Sequence, residues 1–302
     1  MRKLEKEKKI SIVILTYNSE KDIFDCLQSV YQYNDIGDDL EVIVVDNNSL
    51  GVDKMFSNIA QIYPNVILVK NSTNAGYGAG NNVGIKKASA PIIMIMNPDV
   101  RLLEPVFLFA LNSFKDNSVV LYGMKQMLPS GNEGPSFFWT LLDNSVLGTF
   151  LSLKIFRPKD WYLQNKMYIS GACFFVRKSD FEKVGLFDEN LFLYAEEDDI
   201  RIRLLSLGNR KIIYDKNKKY LHFFEEREVT LKKLHRLFVS KCYLCSKNGV
   251  NLKYPLKWEK QYYRFALKRA KKKLNEAKIL VYTQWLNILD EDVNIILSKS
   301  IY

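Results

Sequence analysis

The stretch Ile10-Ser-Ile-Val-Ile-Leu-Thr-Tyr-Asn18 decides the fold. An apolar run rich in β-branched residues gives way at once to a hydroxyl, a phenol and an amide. Such a run, without alternation, reads as a strand buried on both faces, as in a parallel sheet. Working outward, residues 20–33 place Ile23, Leu27 and Val30 at helical spacing, with Phe24 and Tyr31 beside them. Glu41-Val-Ile-Val-Val45, Val66-Ile-Leu-Val69 and Ile92-Ile-Met-Ile-Met96 read as three further strands, with helices near 53–62 and 78–88 between them. Strand and helix in this alternation predict an α/β fold, a mostly parallel central sheet flanked by helices. Right-handed crossovers bring the strand ends to one side.

In open sheets of this kind ligands bind beyond the carboxyl ends of the strands. Those ends are polar: Thr16-Tyr17-Asn18, Asp46-Asn47-Asn48-Ser49, Lys70-Asn71-Ser72 and Asn97-Pro98-Asp99. Four consecutive ends supplying hydroxyls, amides and carboxylates form one rim, a binding site argued from order alone.

The second half changes character. Tyr168-Ile-Ser-Gly-Ala-Cys-Phe-Phe-Val176 reads as a strand entered through a tight Ser-Gly turn, and a short helix at 178–184 stops at Gly185. Ile200, Leu204 and Leu207 line one face of a helix that follows the acidic run Glu196-Glu197-Asp198-Asp199 and ends at Gly208. Residues 230–247 and 254–288 read as two or three Lys-rich helices. The expected division is an α/β domain over 1–229, with halves of about 10–125 and 126–229, and a basic helical region over 230–302.

Composition is ordinary for a globular chain, 47% hydrophobic and 26% charged over 302 residues. The four cysteines are too few for a disulfide scaffold and read as reduced thiols; Cys242-x-x-Cys245 lacks the second pair of a zinc ribbon. The net charge of +10 is uneven, 22 basic against 25 acidic residues up to 207 and 22 against 9 after it. A basic C-terminal third is drawn to something anionic. The charged start has no signal-peptide core, and Phe137–Phe156 is broken by Asp143, Asn144, Gly148 and Lys154, which argues against a membrane span. That segment reads as an insertion packed on the core, or as apolar residues facing lipid or a hydrophobic acceptor.

Six pieces in order resemble the family 2 glycosyltransferases. They are Thr16-Tyr17-Asn18, Val45-Asp46-Asn47-Asn48-Ser49, the glycine-rich Asn74-Ala-Gly-Tyr-Gly-Ala-Gly-Asn-Asn-Val-Gly84, Asn97-Pro98-Asp99, Ser170-Gly171-Ala172, and Gly185-Leu-Phe-Asp188 followed by Tyr194-Ala-Glu-Glu-Asp-Asp199. Within the family the chain is most similar to rhamnosyltransferase-like bacterial enzymes, over about residues 10–245. The resemblance implies the GT-A nucleotide-diphospho-sugar transferase fold and an inverting, metal-dependent transfer in cell-surface polysaccharide synthesis. The implied donor is a nucleotide-diphospho-sugar, first of all dTDP-rhamnose, and the implied acceptor is a saccharide or lipid-linked saccharide.

It also assigns roles. Thr16, Tyr17, Asn18, Asp46, Asn74, Gly76, Asn97 and Asp99 would hold the donor. Asp46 would accept hydrogen bonds from base or ribose, although Asp-Asn-Asn-Ser is equally a capped strand-to-helix turn. The glycines of 74–84 can instead let a helix pack closely on the sheet. Asn97-Pro98-Asp99 stands where the fold class has Asp-x-Asp, so Asp99 would ligate Mg²⁺ or Mn²⁺ while Asn97 removes one carboxylate. His222 is a second metal candidate, or a structural histidine partnered by Glu225 and Glu226; His235 reads as structural. Glu197 stands at the general-base position with Glu196 as its rival, and Gly171, Ala172 and Asp199 would support the acceptor side. Four acids at a helix start also suit the macrodipole, with Glu197 and Asp199 facing Arg201 and Arg203.

Two other readings stay open. A sugar nucleotidyltransferase of related fold would want a Gly-rich, basic loop after strand one, where Thr16-Tyr17-Asn18-Ser19-Glu20 stands. A non-catalytic nucleic-acid-binding protein would use the basic tail and leave the polar strand ends unexplained. The helices around Lys268-Arg-Ala-Lys-Lys-Lys273 interleave Tyr262, Tyr263, Phe265, Leu274, Ile279, Leu280, Tyr282 and Trp285, which suits an anionic membrane surface, nucleic acid or packing on the catalytic domain. Lipid-linked acceptors in the resembled family favour the membrane. The expected location is cytoplasmic, peripheral on the inner face of the membrane, with no nucleic acid bound.

Overall fold

A computed structural model describes residues 7–143, 145–223 and 228–299. In chain order it has β1 (Ile10–Thr16), α1 (Glu20–Gln32), β2 (Leu40–Asp46), α2 (Val52–Ile62), β3 (Ile67–Lys70), α3 (Tyr77–Lys87), β4 (Ile92–Met96), β5 (Val100–Leu102), α4 (Phe107–Ser113), β6 (Val119–Met127) and β7 (Phe137–Trp139). Then come α5 (Val146–Leu151), β8 (Met167–Ile169), β9 (Cys173–Arg177), α6 (Lys178–Lys183), α7 (Glu196–Ser206), β10 (Lys211–His222), α8 (Leu231–Lys247), α9 (Lys253–Lys272), α10 (Glu276–Leu289) and α11 (Val293–Ser298).

Eight strands form one sheet in the order β3-β2-β1-β4-β9-β6-β10-β5. The expected parallel core is there: β1 lies between β2 and β4, with Thr16 opposite Asp46 and Ile14 opposite Met96. Only β9 and β5 run against the others. The run Tyr168–Val176 is two strands rather than one. At Ser170 the backbone N–H goes to the Ser136 carbonyl, so β8 pairs with β7 outside the main sheet while β9 enters it between β4 and β6. This antiparallel entry sets the amino end of β9 beside the carboxyl end of β4, Cys173 opposite Met96.

The chain divides into two compact units. The first takes the described residues of 1–138, 162–192 and 196–224; the second takes those of 139–161, 193–195 and 225–302. The sheet and its helices bury one core in the first unit, from Ile10 and Ile12 through Val44, Met94 and Phe107 to Phe175. The second unit has its own core of Leu234, Phe238, Cys242, Tyr263, Trp285, Leu289 and Ile296. Tyr263 and Trp285 therefore serve as core residues and not as contacts for an outside surface. Cys242 and Cys245 are buried on α8 and not joined in a disulfide, and His235 Nε2 lies 2.7 Å from the Ile296 carbonyl, a structural role as expected. No helix among the described residues is long and apolar enough to cross a membrane. Glu225 and Glu226, offered as partners of His222, lie outside the described residues.

Candidate active site

The first unit gathers the candidate residues at the carboxyl ends of β1, β2 and β4. Because β1 and β2 are in register, the Thr16 hydroxyl lies 3.1 Å from Asp46 Oδ1. Both residues are buried. Ser49 donates to the same carboxylate, its N–H to Oδ2 at 2.7 Å and its hydroxyl to Oδ1 at 2.6 Å. Asp46 thus caps its own turn, the local role the sequence allowed it. Tyr17 and Asn18 are exposed, and Asn18 bridges the loops after β1 and β2: its N–H reaches Ser49 Oγ at 2.7 Å, and its Oδ1 accepts from the Leu50 N–H at 3.2 Å. Asn18 adopts φ 53°, a left-handed conformation that asparagine tolerates.

Asn47, not singled out in the sequence, joins these loops to the glycine-rich segment. Its Nδ2 donates to Asn74 Oδ1 at 2.9 Å and to the Gly76 carbonyl at 3.1 Å, while its Oδ1 accepts from Asn71 at 3.0 Å. Asn74 Oδ1 also accepts from the Gly76 N–H at 3.0 Å. Gly76 has φ +100°, and a Cβ there would collide with the Phe192 carbonyl. Two constraints therefore demand glycine at that position.

Tyr77 at the start of α3 is the other residue the sequence did not flag. Its hydroxyl donates to the Gly171 carbonyl at 2.8 Å. Burial pushes its phenol well above the ordinary range, and the carboxylates of Glu197, Glu196 and Asp99 push the same way. Candidate base and candidate metal ligand thus act on a single side chain. Its only sequence signal is its place among the loop's glycines.

Gly171 and Ala172 form the turn between β8 and β9. The Ala172 carbonyl accepts from the Asn97 N–H at 2.9 Å, tying the turn to Asn97-Pro98-Asp99. The Gly171 N–H donates to Glu197 Oε1 at 3.2 Å, and a Cβ at 171 would strike that same oxygen. The chain enters α7 through two left-handed non-glycine residues, Tyr194 (φ 75°) and Ala195 (φ 74°), a costly path that fixes where the acidic run begins.

The acidic run splits its tasks: the expected Asp199–Arg203 pair forms, but Arg201 goes to Asp198 and not to Glu197. Arg201 pairs with Asp198 at 2.8 Å, three residues back and buried. Arg203 takes Asp199, with Nε donating to Oδ2 at 2.8 Å. Asp199 is thereby a support for α7. Glu197 is left to Gly171, and desolvation raises its pKa above the ordinary carboxylate value, Asp198 adding to this and backbone N–H donors opposing it. Glu196 is buried, its Oε1 has no hydrogen-bond partner among the described residues, and burial followed by the Glu197 charge raises its pKa well above ordinary.

Asp99 follows β4, and His222 ends β10. Asp99 Oδ1 is buried, accepts no hydrogen bond among the described residues and lies 3.3 Å from His222 Nε2. Adjacent ligands of one octahedral cation, with bonds of about 2.1 Å, sit about 3 Å apart. One oxygen and one imidazole nitrogen at this separation fit an edge of such a site. Among the described residues no cluster of three or more His, Cys, Asp or Glu exists to hold a metal by protein groups alone.

Residues 11–185 match the model of the family described as glycosyl transferase family 2, a span of more than half the chain. Among curated relatives, a low-salt glycan biosynthesis hexosyltransferase of Haloferax volcanii is 26% identical over 62% of this chain and 59% of its own length. An N-acetylglucosaminyl-diphospho-decaprenol L-rhamnosyltransferase of Mycobacterium tuberculosis is 28% identical over 56% of this chain and 62% of its own. The chain thus spans less than two thirds of these relatives' lengths. Among solved structures, a mannosyltransferase of Pyrobaculum calidifontis in complex with GDP-Man and Mn2+ superposes with a TM-score of 0.60 at 16% identity, over 93% of this chain and 84% of that one. S. aureus TarS with UDP-GlcNAc gives 0.58 at 19%, over 92% and 79%. These last likenesses establish the fold, a GT-A-like α/β architecture.

Proposed function

The chain belongs to glycosyl transferase family 2, and from that premise we propose that it moves a sugar from a nucleotide-diphosphate donor to a hydroxyl of a saccharide or lipid-linked saccharide. The observation that carries this reading is the convergence of Asn97, Glu197 and Tyr77 on the Gly171-Ala172 turn by hydrogen bonds, which ties the donor-side loops to a carboxylate of raised pKa.

In this reading the loops that Asn47 latches, with Thr16, Tyr17, Asn18, Asp46, Asn74 and Gly76, bind the nucleotide. Asn97 and Asp99 face the diphosphate. Asp99 and His222 would hold a divalent cation, Mg²⁺ or Mn²⁺, which when bound offsets the charge of the departing diphosphate. Glu197, oriented by the Gly171 N–H, takes the proton from the acceptor hydroxyl as its oxygen attacks the anomeric carbon. A base opposite the leaving group gives inversion, and its raised pKa suits proton abstraction better than an ordinary carboxylate would. Glu196, sealed from solvent, is the less suited of the pair. The rhamnosyl relative makes dTDP-rhamnose the first donor to try. The working place would be the cytoplasmic side of the membrane, in polysaccharide synthesis.

The test is calorimetric binding and transfer across a panel of nucleotide sugars with Mg²⁺, Mn²⁺ or chelator. One donor should bind in a metal-dependent way. Asp99→Ala should abolish the metal dependence, and Glu197→Gln should keep donor binding while transfer falls about a hundredfold or more. Full transfer by Glu197→Gln would remove it as the base, and no donor bound by folded protein would end the enzymatic reading.

A further inference from the structure

Within the second unit, α9 carries eight basic residues and a single acid, Glu259. That acid is buried and held by Lys241 at 3.1 Å. Lys260 reaches Asp290 at 3.1 Å. Among the described residues Lys257, Arg264, Lys268 and Lys272 have no acidic partner. Tyr254 and Phe265, 55% and 54% exposed, lie three turns apart and therefore on one line of this basic face.

Beside α9 packs α5, which runs on as a π-helical turn to Phe156. Its Leu147, Phe150 and Leu153 are 65%, 54% and 47% exposed, an apolar ridge left largely open among the described residues. Exposed Lys154 adjoins it, and Lys159 lies 4.5 Å over the ring of Trp161, which is half-exposed. A nucleic acid would satisfy the basic face but offer its phosphates to an apolar ridge. A bilayer interface accepts both, charge at the headgroups and apolar side chains just beneath.

We propose that the second unit docks on a bilayer surface containing anionic phospholipid, through the exposed face of α9 and the ridge Leu147-Phe150-Leu153. This builds on the membrane location proposed above and is independent of the chemistry assigned to the first unit.

The experiment is co-sedimentation of the full chain with phosphatidylcholine vesicles, with and without phosphatidylglycerol, beside donor binding measured on the same preparations. The chain should sediment with the phosphatidylglycerol vesicles only, and high salt should release it. Each basic residue contributes about fivefold, so K257Q/R264Q/K268Q/K272Q should weaken partition by about a hundredfold or more. L147S/F150S/L153S should release the chain with its charge unchanged, and both variants should bind donor as the parent does. Absence of sedimentation, equal sedimentation with neutral vesicles, or undiminished binding by the apolar triple variant would overturn the proposal. So would tighter binding to a single-stranded oligonucleotide than to the vesicles. Donor binding reads the first unit separately, so failure there leaves the docking result standing, and the converse.

Discussion

Glu196 and Glu197 are sequence neighbours with different surroundings, and pH separates them. Glu196 is 2% exposed with an unpartnered Oε1, and desolvation holds its pKa well above the ordinary value. A carboxyl whose folded pKa is raised keeps its proton more tightly in the fold than in the unfolded chain. Its contribution to stability is full below the ordinary carboxylate range and is lost as pH climbs through the folded value. Glu196→Gln removes that loss. The melting temperature of the variant should match the parent near pH 4 and exceed it by a widening margin toward neutral pH, read by calorimetry over a pH series. Parallel curves would mean that Glu196 is not the group being desolvated. The sequence made the acidic run visible but not its division of labour, because helical spacing offered Arg201 to Glu197 and Asp198 alike. Asn47 and Tyr77 were hidden for a related reason: their partners, Asn74 and Gly171, lie far along the chain, and no local pattern marks such pairs.

At the scale of elements, helix α3 shows what its glycines do. A Cβ on Gly84 would stand 2.5 Å from Val13 Cγ1 and 2.9 Å from Val45 Cγ2, both buried in the sheet. Valines are stiff at χ1 and cannot step aside. Overpacking of this kind costs about 1–3 kcal/mol, against about 1 kcal/mol that alanine gains over glycine inside a helix. Gly84→Ala should therefore be destabilising by up to about 2 kcal/mol, read from urea midpoints. Gly80 chiefly meets the methyl ends of Leu15, a half-buried side chain with freedom to move, so Gly80→Ala should cost clearly less. Equal losses would show that the helix shifts as a body. The strands β1, β2 and β4 were legible because buried parallel strands are continuous apolar runs, and the half-exposed edge strand β3 because it too is a short run of aliphatic residues. The entry of β9 between β4 and β6 was not, since an antiparallel insertion leaves no signature in the inserted strand itself.

At the scale of the molecule, the charge imbalance pointed to a distinct basic region, set at 230–302 from the sequence, but not to residues 139–161 falling in the same compact unit, nor to β10 staying with the first. Nor could composition say that Trp285 and Tyr263 build its core, since buried and exposed aromatics look alike among lysines on a helix. One consequence is practical. All four tryptophans, Trp139, Trp161, Trp258 and Trp285, belong to the second unit, so tryptophan fluorescence reads that unit alone, while donor binding reads the first. Phe238 is fully buried and meets the Trp285 ring edge-on, with centroids 5.9 Å apart. Phe238→Ala removes about 3–5 kcal/mol of packing from the second core. Each unit buries its own apolar cluster, so the fluorescence transition should move to markedly lower denaturant while donor affinity in buffer stays at the parent value. If circular dichroism and fluorescence midpoints instead fall together by the same amount, the two cores melt as one cooperative body. The basic helices would then support the transferase fold as well as carry their own surface.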